Sequence, residues 1–176
     1  MAENIFLETE RMIFRRFSMD DVDHIAALDG DPEVMRYVAD GLPKTRRDAE
    51  EGVAPVLLNY EKFPRLGLWI GEEKPRLAFA GWFALKYIPK TVEIEVGYRL
   101  MKSAWGRGLA TEGARAMLRY GFGECGLDRI VAVTHRGNAA SQRVLRNLGL
   151  EYRGIGHDYD RDVSYFVIDR GKYLAP

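Results

Sequence analysis

Cysteine is almost absent: Cys125 stands alone among 176 residues, which excludes an internal disulfide and any multi-cysteine metal site. Histidine is nearly as scarce. His24, His135 and His157 lie far apart and show no metal-ligand spacing, so structural or exposed roles are expected for them and no metal is expected. No apolar run approaches the roughly 20 residues that a bilayer span needs. The first residues, with Glu3, Glu8 and Glu10, lack the basic-then-apolar pattern of a signal peptide. A soluble, cytoplasmic protein with no membrane partner is expected. Net charge is missing too, because twenty-six Lys and Arg offset twenty-six Asp and Glu, so no global field recruits nucleic acid. No repeat, low-complexity tract or flexible linker interrupts the chain. At 176 residues it suits one well-buried core rather than two, and a single domain over 1–176 is expected.

What is present is a change of period along the chain. Met12 to Phe17 alternates like a strand, and Ser18-Met19-Asp20-Asp21 then caps a helix carrying Val22, Ile25, Ala26 and Leu28. Asp31-Pro32-Glu33 starts a short helix with Pro32 in its first turn. Thr45 to Lys62 reads as a longer helix that Gly52 and Pro55 kink or split. Leu66–Ile70, Leu77–Tyr87 and Val92–Leu100 read as strands of an antiparallel meander, with turns at Glu72-Glu73-Lys74-Pro75 and Pro89-Lys90. Helix (Gly108–Cys125), strand (Arg129–Thr134), helix (Asn138–Leu148) and two strands (Tyr152–Gly156, Val163–Ile168) follow. The expectation is an α+β fold: a mixed, mostly antiparallel central sheet of about seven strands with helices on both faces.

The glycine turn is the most informative stretch. Trp105-Gly106-Arg107-Gly108-Leu109-Ala110-Thr111-Glu112-Gly113 opens the long helix directly after the strand ending at Leu100. The first turn of a helix carries free N–H groups and the positive end of the macrodipole, a place where phosphate binds. Read alone, the same two glycines also fit a turn that needs positive φ. The third glycine of a dinucleotide-binding motif is missing, as is the Gly-Lys-Ser/Thr ending of a nucleotide phosphate-binding loop.

Leu100 to Ala110, followed by Asn138-Ala139-Ala140-Ser141 and Leu148-Gly149-Leu150, resembles the acetyl-CoA signature of the GNAT N-acetyltransferase superfamily. Thr9-Glu10-Arg11-Met12, Asp31-Pro32-Glu33-Val34-Met35-Arg36-Tyr37 and Glu95-Val96-Gly97-Tyr98 are similar to the branch that contains the ribosomal-protein alanine N-acetyltransferases. The resemblance covers essentially the whole chain and implies a GNAT fold. It implies acetyl transfer from acetyl-CoA to a primary amine by direct attack in a ternary complex, the amine belonging to a small molecule or a peptide, in an enzyme that is commonly a dimer. It places the pyrophosphate on the backbone of Gly106, Arg107, Gly108, Leu109 and Ala110, with the Thr111 hydroxyl, and pairs the pantetheine arm with the backbone of Leu100 and Met101. Asn138 falls near that arm. Trp105 stands where relatives often carry Gln or Arg, which removes a polar contact but leaves the backbone cradle. Arg107 either neutralises phosphate or is a solvated loop charge.

Amine acetylation needs a neutral nucleophile, a stabilised oxyanion and a proton for the departing thiolate. Glu93 and Glu95 share one strand face, and a glutamate midway along a central strand is costly to bury unless paired or functional. By position Glu95 matches the family's general base; Glu93 is second choice, and a structural ion pair is the other reading. Asn138 serves equally as a helix N-cap. Ser141, Leu145 and Leu148 form one inward helical stripe. Many members place a tyrosine acid where this chain has Leu145, so that role does not carry over. Ser141, found at that position in some of this branch, becomes the candidate acid, with Tyr98 and His135 behind it. Cys125 is expected to be a small buried thiol rather than a nucleophile. The acceptor is expected against Asp29–Gly41 and the turn His157–Asp162. A non-catalytic acyl-CoA-binding or regulatory domain is the alternative.

Overall fold

Alternation from Met12 onward buries Met12 and Phe14 completely on one face of a strand, and most of the sheet follows the same rule. The computed structural model describes residues 5–173; 1–4, including Glu3 of the acidic run, and 174–176 lie outside the described residues. The strands are β1 (Ile5–Glu8), β2 (Met12–Arg16), β3 (Gly67–Glu73), β4 (Ala78–Tyr87), β5 (Ile94–Leu100), β6 (Arg129–His135), β7 (Glu151–Asp158) and β8 (Arg161–Asp169). The helices are α1 (Val22–Asp29), α2 (Pro32–Met35), α3 (Arg46–Lys62), α4 (Leu109–Gly123), α5 (Ala139–Asn147) and α6 (Arg170–Tyr173).

Eight strands form one sheet in the order β1-β2-β3-β4-β5-β6-β8-β7. Neighbours are antiparallel except β5 and β6, which are parallel. The count exceeds the expected seven because of β1, whose four residues are too few to show a period; Phe6 holds it down by stacking on Trp69 at 4.2 Å. Strand β3 also runs through Glu72 and Glu73, where a turn was expected. Their charges are satisfied across the sheet, Glu72 by Arg15 at 2.9 Å and Glu73 by Arg107.

Each helix start has a local cause. Ser18 and Asp21 form a capping box ahead of α1, Asp31 caps α2, and Thr45 and Asp48 box the start of α3. Asp21 is buried, which pulls its pKa upward, yet the Arg15 guanidinium at 2.7 and 2.9 Å outweighs this and holds it below the usual carboxylate range. Helix α3 runs unbroken through Gly52 and Pro55. Its stripe Ala49, Val53 and Tyr60 stays seated on the sheet, and that burial offsets the loss at proline, about 3 kcal/mol.

Helices α1 and α3 cover one face of the sheet, packing Val22, Ile25, Leu28 and Val53 against Phe17 and Ile70. Helices α4 and α5 cover the other, packing Met117, Leu118, Phe122 and Leu145 against Phe83, Leu85 and Phe166. Phe83 lies at the centre of this second layer. A Cβ at Gly113 of α4 would fall 2.2 Å from the Phe83 ring, whereas one at the exposed Gly123, on the same helix, would meet nothing within 4 Å. Gly113→Ala should therefore destabilise the protein by about 3 kcal/mol through overpacking, while Gly123→Ala stabilises it by about 0.5–1 kcal/mol. Denaturant unfolding of the two variants checks the contrast; equal effects would refute this packing of α4 on β4.

Candidate active site

The chain leaves β5 through a short 3-10 turn over Lys102–Ala104 and enters α4 at the glycine turn. Gly106 and Gly108 sit at φ 70 and 80, the left-handed region that favours glycine. Gly108 is the N-cap and gives no side-chain bond. The first bond of the helix runs from Glu112 N–H to Gly108 C=O at 3.0 Å, which leaves the N–H groups of Leu109, Ala110 and Thr111 uncapped at the positive end of a 15-residue helix. Arg11 braces the turn from the far edge of the sheet. Its Nη1 donates to Arg107 C=O at 2.8 Å, and its Nε and backbone N–H donate to Glu112 at 2.6 and 2.9 Å. Burial pushes the Glu112 carboxyl up, but bonds from Thr9 and Arg11 prevail and keep its pKa below the ordinary value. The Arg107 guanidinium pairs with Glu73 at the side of the turn. Trp105 donates its indole N–H to Leu100 C=O at 2.9 Å and so ties the turn to the end of β5.

Beside this turn the sheet opens. Strands β5 and β6 share a single register position, Glu95 opposite Val131; beyond it β5 runs to Leu100 and β6 to His135 without pairing. In an antiparallel ladder alternate residues turn both backbone groups toward the same neighbour. Met101 donates its N–H to Ala80 C=O at 2.9 Å. With Gly81 opposite Leu100, Gly97 and Arg99 therefore face β4, while Val96, Tyr98 and Leu100 face the gap. Met101 has no free backbone group on that side, since its C=O accepts from Ala104 N–H at 2.9 Å. Of the two residues expected to bind the pantetheine arm, only Leu100 faces the gap, and Trp105 already takes its C=O. Tyr98 is the backbone position that the sequence did not single out.

The gap leads into a cavity of about 700 Å³. Tyr98, Asn138 and Ser141 line its inner wall. Asn138 is the N-cap of α5, accepting from Ser141 N–H at 3.0 Å. The Tyr98 and Ser141 hydroxyls lie 3.2 Å apart. Burial, partly offset by Ser141, pushes the Tyr98 phenol up to about 12, so it stays protonated and able to donate at neutral pH. His135 also lines the cavity, accepting from Gly137 N–H at 3.0 Å and packing on Tyr37.

Glu95 lines the same cavity and is 6% exposed. Lys86 stands directly across the ladder, with its Nζ 2.6 Å from Glu95 Oε1. The Tyr159 hydroxyl donates to the same oxygen. Tyr159 comes from the tip of the β7–β8 hairpin, where it and Asp160 adopt φ 54 and 56 in succession. Burial, then the neighbouring Glu95 charge, raises its phenol far above the usual range, so it remains a donor. Glu93 precedes β5 and does not line the cavity.

Tyr37, Val38 and Ala39, from the stretch between α2 and α3, and Tyr159, Asp160 and Arg161 form the outer wall. Both segments expected to meet the acceptor thus reach the cavity, but most of their acids are committed elsewhere. Asp29 pairs with Arg99 at 2.6 Å, Asp40 with Lys44 at 3.0 Å, Glu33 with Lys102 and Asp162 with His157 at 3.1 Å. Cys125 is half-buried outside the cavity, with its thiol pushed up by burial. Among the described residues no group of three or more His, Cys, Asp or Glu could hold a metal ion.

Residues 11–151 match the family model described as the acetyltransferase (GNAT) domain. An FsC-acetyl coenzyme A-N(2)-transacetylase of Aspergillus fumigatus is 33% identical over 83% of this chain, which spans 65% of that protein's length. The Bacillus subtilis N-acetyltransferase YoaA, itself uncharacterized, is 30% identical over 93% of this chain and 97% of its own. A crystal structure of a Bacillus anthracis GNAT acetyltransferase superposes with TM-score 0.81 at 23% identity, over 95% of this chain and 99% of that one. The ribosomal L7/L12 alpha-N-protein acetyltransferase RimL, solved with coenzyme A, does so with TM-score 0.78 at 17% identity, over 94% and 98%. At those identities the solved structures speak for the fold alone. The family match spans the glycine turn, the opened sheet and Glu95 together, and on it the chain belongs to the GNAT acetyltransferase family and is an N-acetyltransferase.

Proposed function

We propose that this N-acetyltransferase passes the acetyl group of acetyl-CoA directly to a primary amine held in the cavity, with Glu95 as general base and the Tyr98–Ser141 pair as the donor at the departing sulfur. The observation that carries the reading is the opening of one cavity both onto the β5–β6 gap, beside the uncapped turn of α4, and onto the buried Glu95. Acetyl-CoA, bound, supplies the thioester carbonyl. The free N–H groups of Leu109, Ala110 and Thr111 and the left-handed Gly106 and Gly108 suit its pyrophosphate. The unpaired backbone of Tyr98 and the N–H of Leu100 suit its amide-bearing arm, with Asn138 beside them. RimL, a neighbour in fold, was solved in complex with coenzyme A.

Glu95 is placed to act as the base because its carboxylate lines the cavity, with Lys86 and Tyr159 both bonded to its Oε1 and holding it in position. The Lys86 ammonium, 2.6 Å from that oxygen, also repels an incoming ammonium and so favours the neutral amine, the nucleophilic form. On the opposite wall the Tyr98 and Ser141 hydroxyls lie 3.2 Å apart; when Tyr98 is the donor of that pair, the serine hydrogen is available to a developing thiolate. No cysteine lines the cavity, which suits direct transfer.

Three variants test the roles. Gly108→Val should weaken coenzyme A binding in calorimetry by at least about tenfold, roughly 1.4 kcal/mol, because φ 80 and close backbone approach both disfavour a branched side chain; unchanged affinity in a folded variant contradicts the assignment. Glu95→Gln should lower turnover by roughly 10² or more with coenzyme A affinity kept. That loss shrinks as pH rises and the amine deprotonates unaided, and wild-type-like turnover at neutral pH would return Glu95 to a structural ion pair. Ser141→Ala should lower turnover by about 10 to 10²; full turnover makes it a packing residue. Tight acetyl-CoA binding with no amine acetylated in a broad panel would favour a binding module.

A further inference from the structure

Four cationic side chains line the cavity, Lys86, Lys90, Arg99 and Arg161, against two carboxylates, Glu95 and Asp160. Most of these charges already have a partner. Lys86 is held by Glu95 at 2.6 Å, and Arg99 is held by Asp29 at 2.6 Å with its guanidinium 5.1 Å above the Trp82 ring. Lys90 and Asp160 lie 3.9 Å apart with both side chains almost fully exposed, where water screens them. Arg161 differs. Among the described residues it makes no ion pair, and its one hydrogen bond is to the Ala39 carbonyl.

That bond fixes its position. It ties the hairpin tip to the stretch between α2 and α3, the two halves of the outer wall, so the half-buried Arg161 is anchored at the cavity rim. A guanidinium has five N–H donors in a rigid fork, and a single bond to a neutral carbonyl leaves most of them, and the whole charge, unanswered. Tyr159, two residues earlier in the same tip, already reaches Glu95, so the rim cation and the buried carboxylate lie along one short path. A molecule entering meets a positive rim and reaches a single carboxylate beneath it that is already shared with Lys86. Polycations are disfavoured twice, at the rim and at the base.

We infer that the acceptor is an amine that also carries a carboxylate, as an amino acid or a short peptide with a free C-terminus does, with Arg161 receiving the carboxylate while the amine reaches Glu95. The inference rests on the cavity being the acceptor site. Arg161 is then a specificity-determining residue: it binds a part of the substrate that does not react.

The test uses Xaa-Gly dipeptides, each as the free acid and as the C-terminal amide, with spermidine and kanamycin as polycations, at saturating acetyl-CoA. Release of coenzyme A thiol gives kcat and KM. The free acids should exceed their amides at least tenfold in kcat/KM, through KM, with the polycations poorest. Arg161→Gln should collapse the acid-to-amide ratio toward one, and Arg161→Lys should restore part of it. Amides or polycations preferred by the wild type, or both dipeptide forms lowered equally in Arg161→Gln, would overturn the inference. Calorimetry of the same dipeptides with coenzyme A present separates it from the catalytic reading: an acid preference in binding without turnover supports the carboxylate site and removes catalysis, and binding without that preference overturns the site.

Discussion

Two neighbouring strands that separate after one paired position leave backbone N–H and C=O groups outside the ladder, turned toward whatever fills the space between them. The sheet accepts this at the parallel junction of β5 and β6, at Glu95 opposite Val131. Everything that makes the site usable follows from that divergence. It creates the gap, turns the backbone of Val96, Tyr98 and Leu100 into it, and places Glu95 at its apex where the strand is still paired and the side chain still buried. It also brings the start of α5, with Asn138 and Ser141, to face β5 across a space that a continuous ladder would have filled. Helices on both faces keep the halves of the sheet in place, so the opening is built into the core.

Charge is distributed around this opening in a consistent way. The glycine turn presents backbone donors with no side-chain cap, and the one acid in that first helical turn, Glu112, is answered by Arg11. At the other end Glu95 is answered by Lys86 and Tyr159. Neither carboxylate is left without a cationic partner. Trp105 spends its only donor on Leu100, so the residue in place of a polar side chain contributes rigidity between the end of β5 and the turn.

What could be read from the sequence was local. The boxes Ser18–Asp21 and Thr45–Asp48, the Asn138 cap and the glycine turn each depend on residues within a few positions of one another, and Glu95 was recognisable from alternation and its Val96-Gly97-Tyr98 neighbours. The rest depended on register and distance. Lys86 meets Glu95 only because the β4–β5 ladder aligns them, and Arg11 reaches Glu112 across 101 positions of sequence. Glu72 and Glu73 looked like a turn because their partners, Arg15 and Arg107, are remote. Met101 looked like a free edge because its bonds to Ala80 and Ala104 need the fold to be seen. Pro55 looked like a break because the buried stripe of α3 had not been weighed against it.

The tip of the β7–β8 hairpin couples local strain to the wall of the cavity. Two successive left-handed residues are the geometry that Asn-Gly supplies without strain, yet this chain uses Tyr159-Asp160; Asp tolerates that region, whereas Tyr159 carries roughly 1–2 kcal/mol of strain. Asn-Gly at the tip would give a sturdier hairpin that no longer reaches Glu95. A tyrosine in that conformation is held by its bond to Glu95 rather than by any preference of its own for the turn.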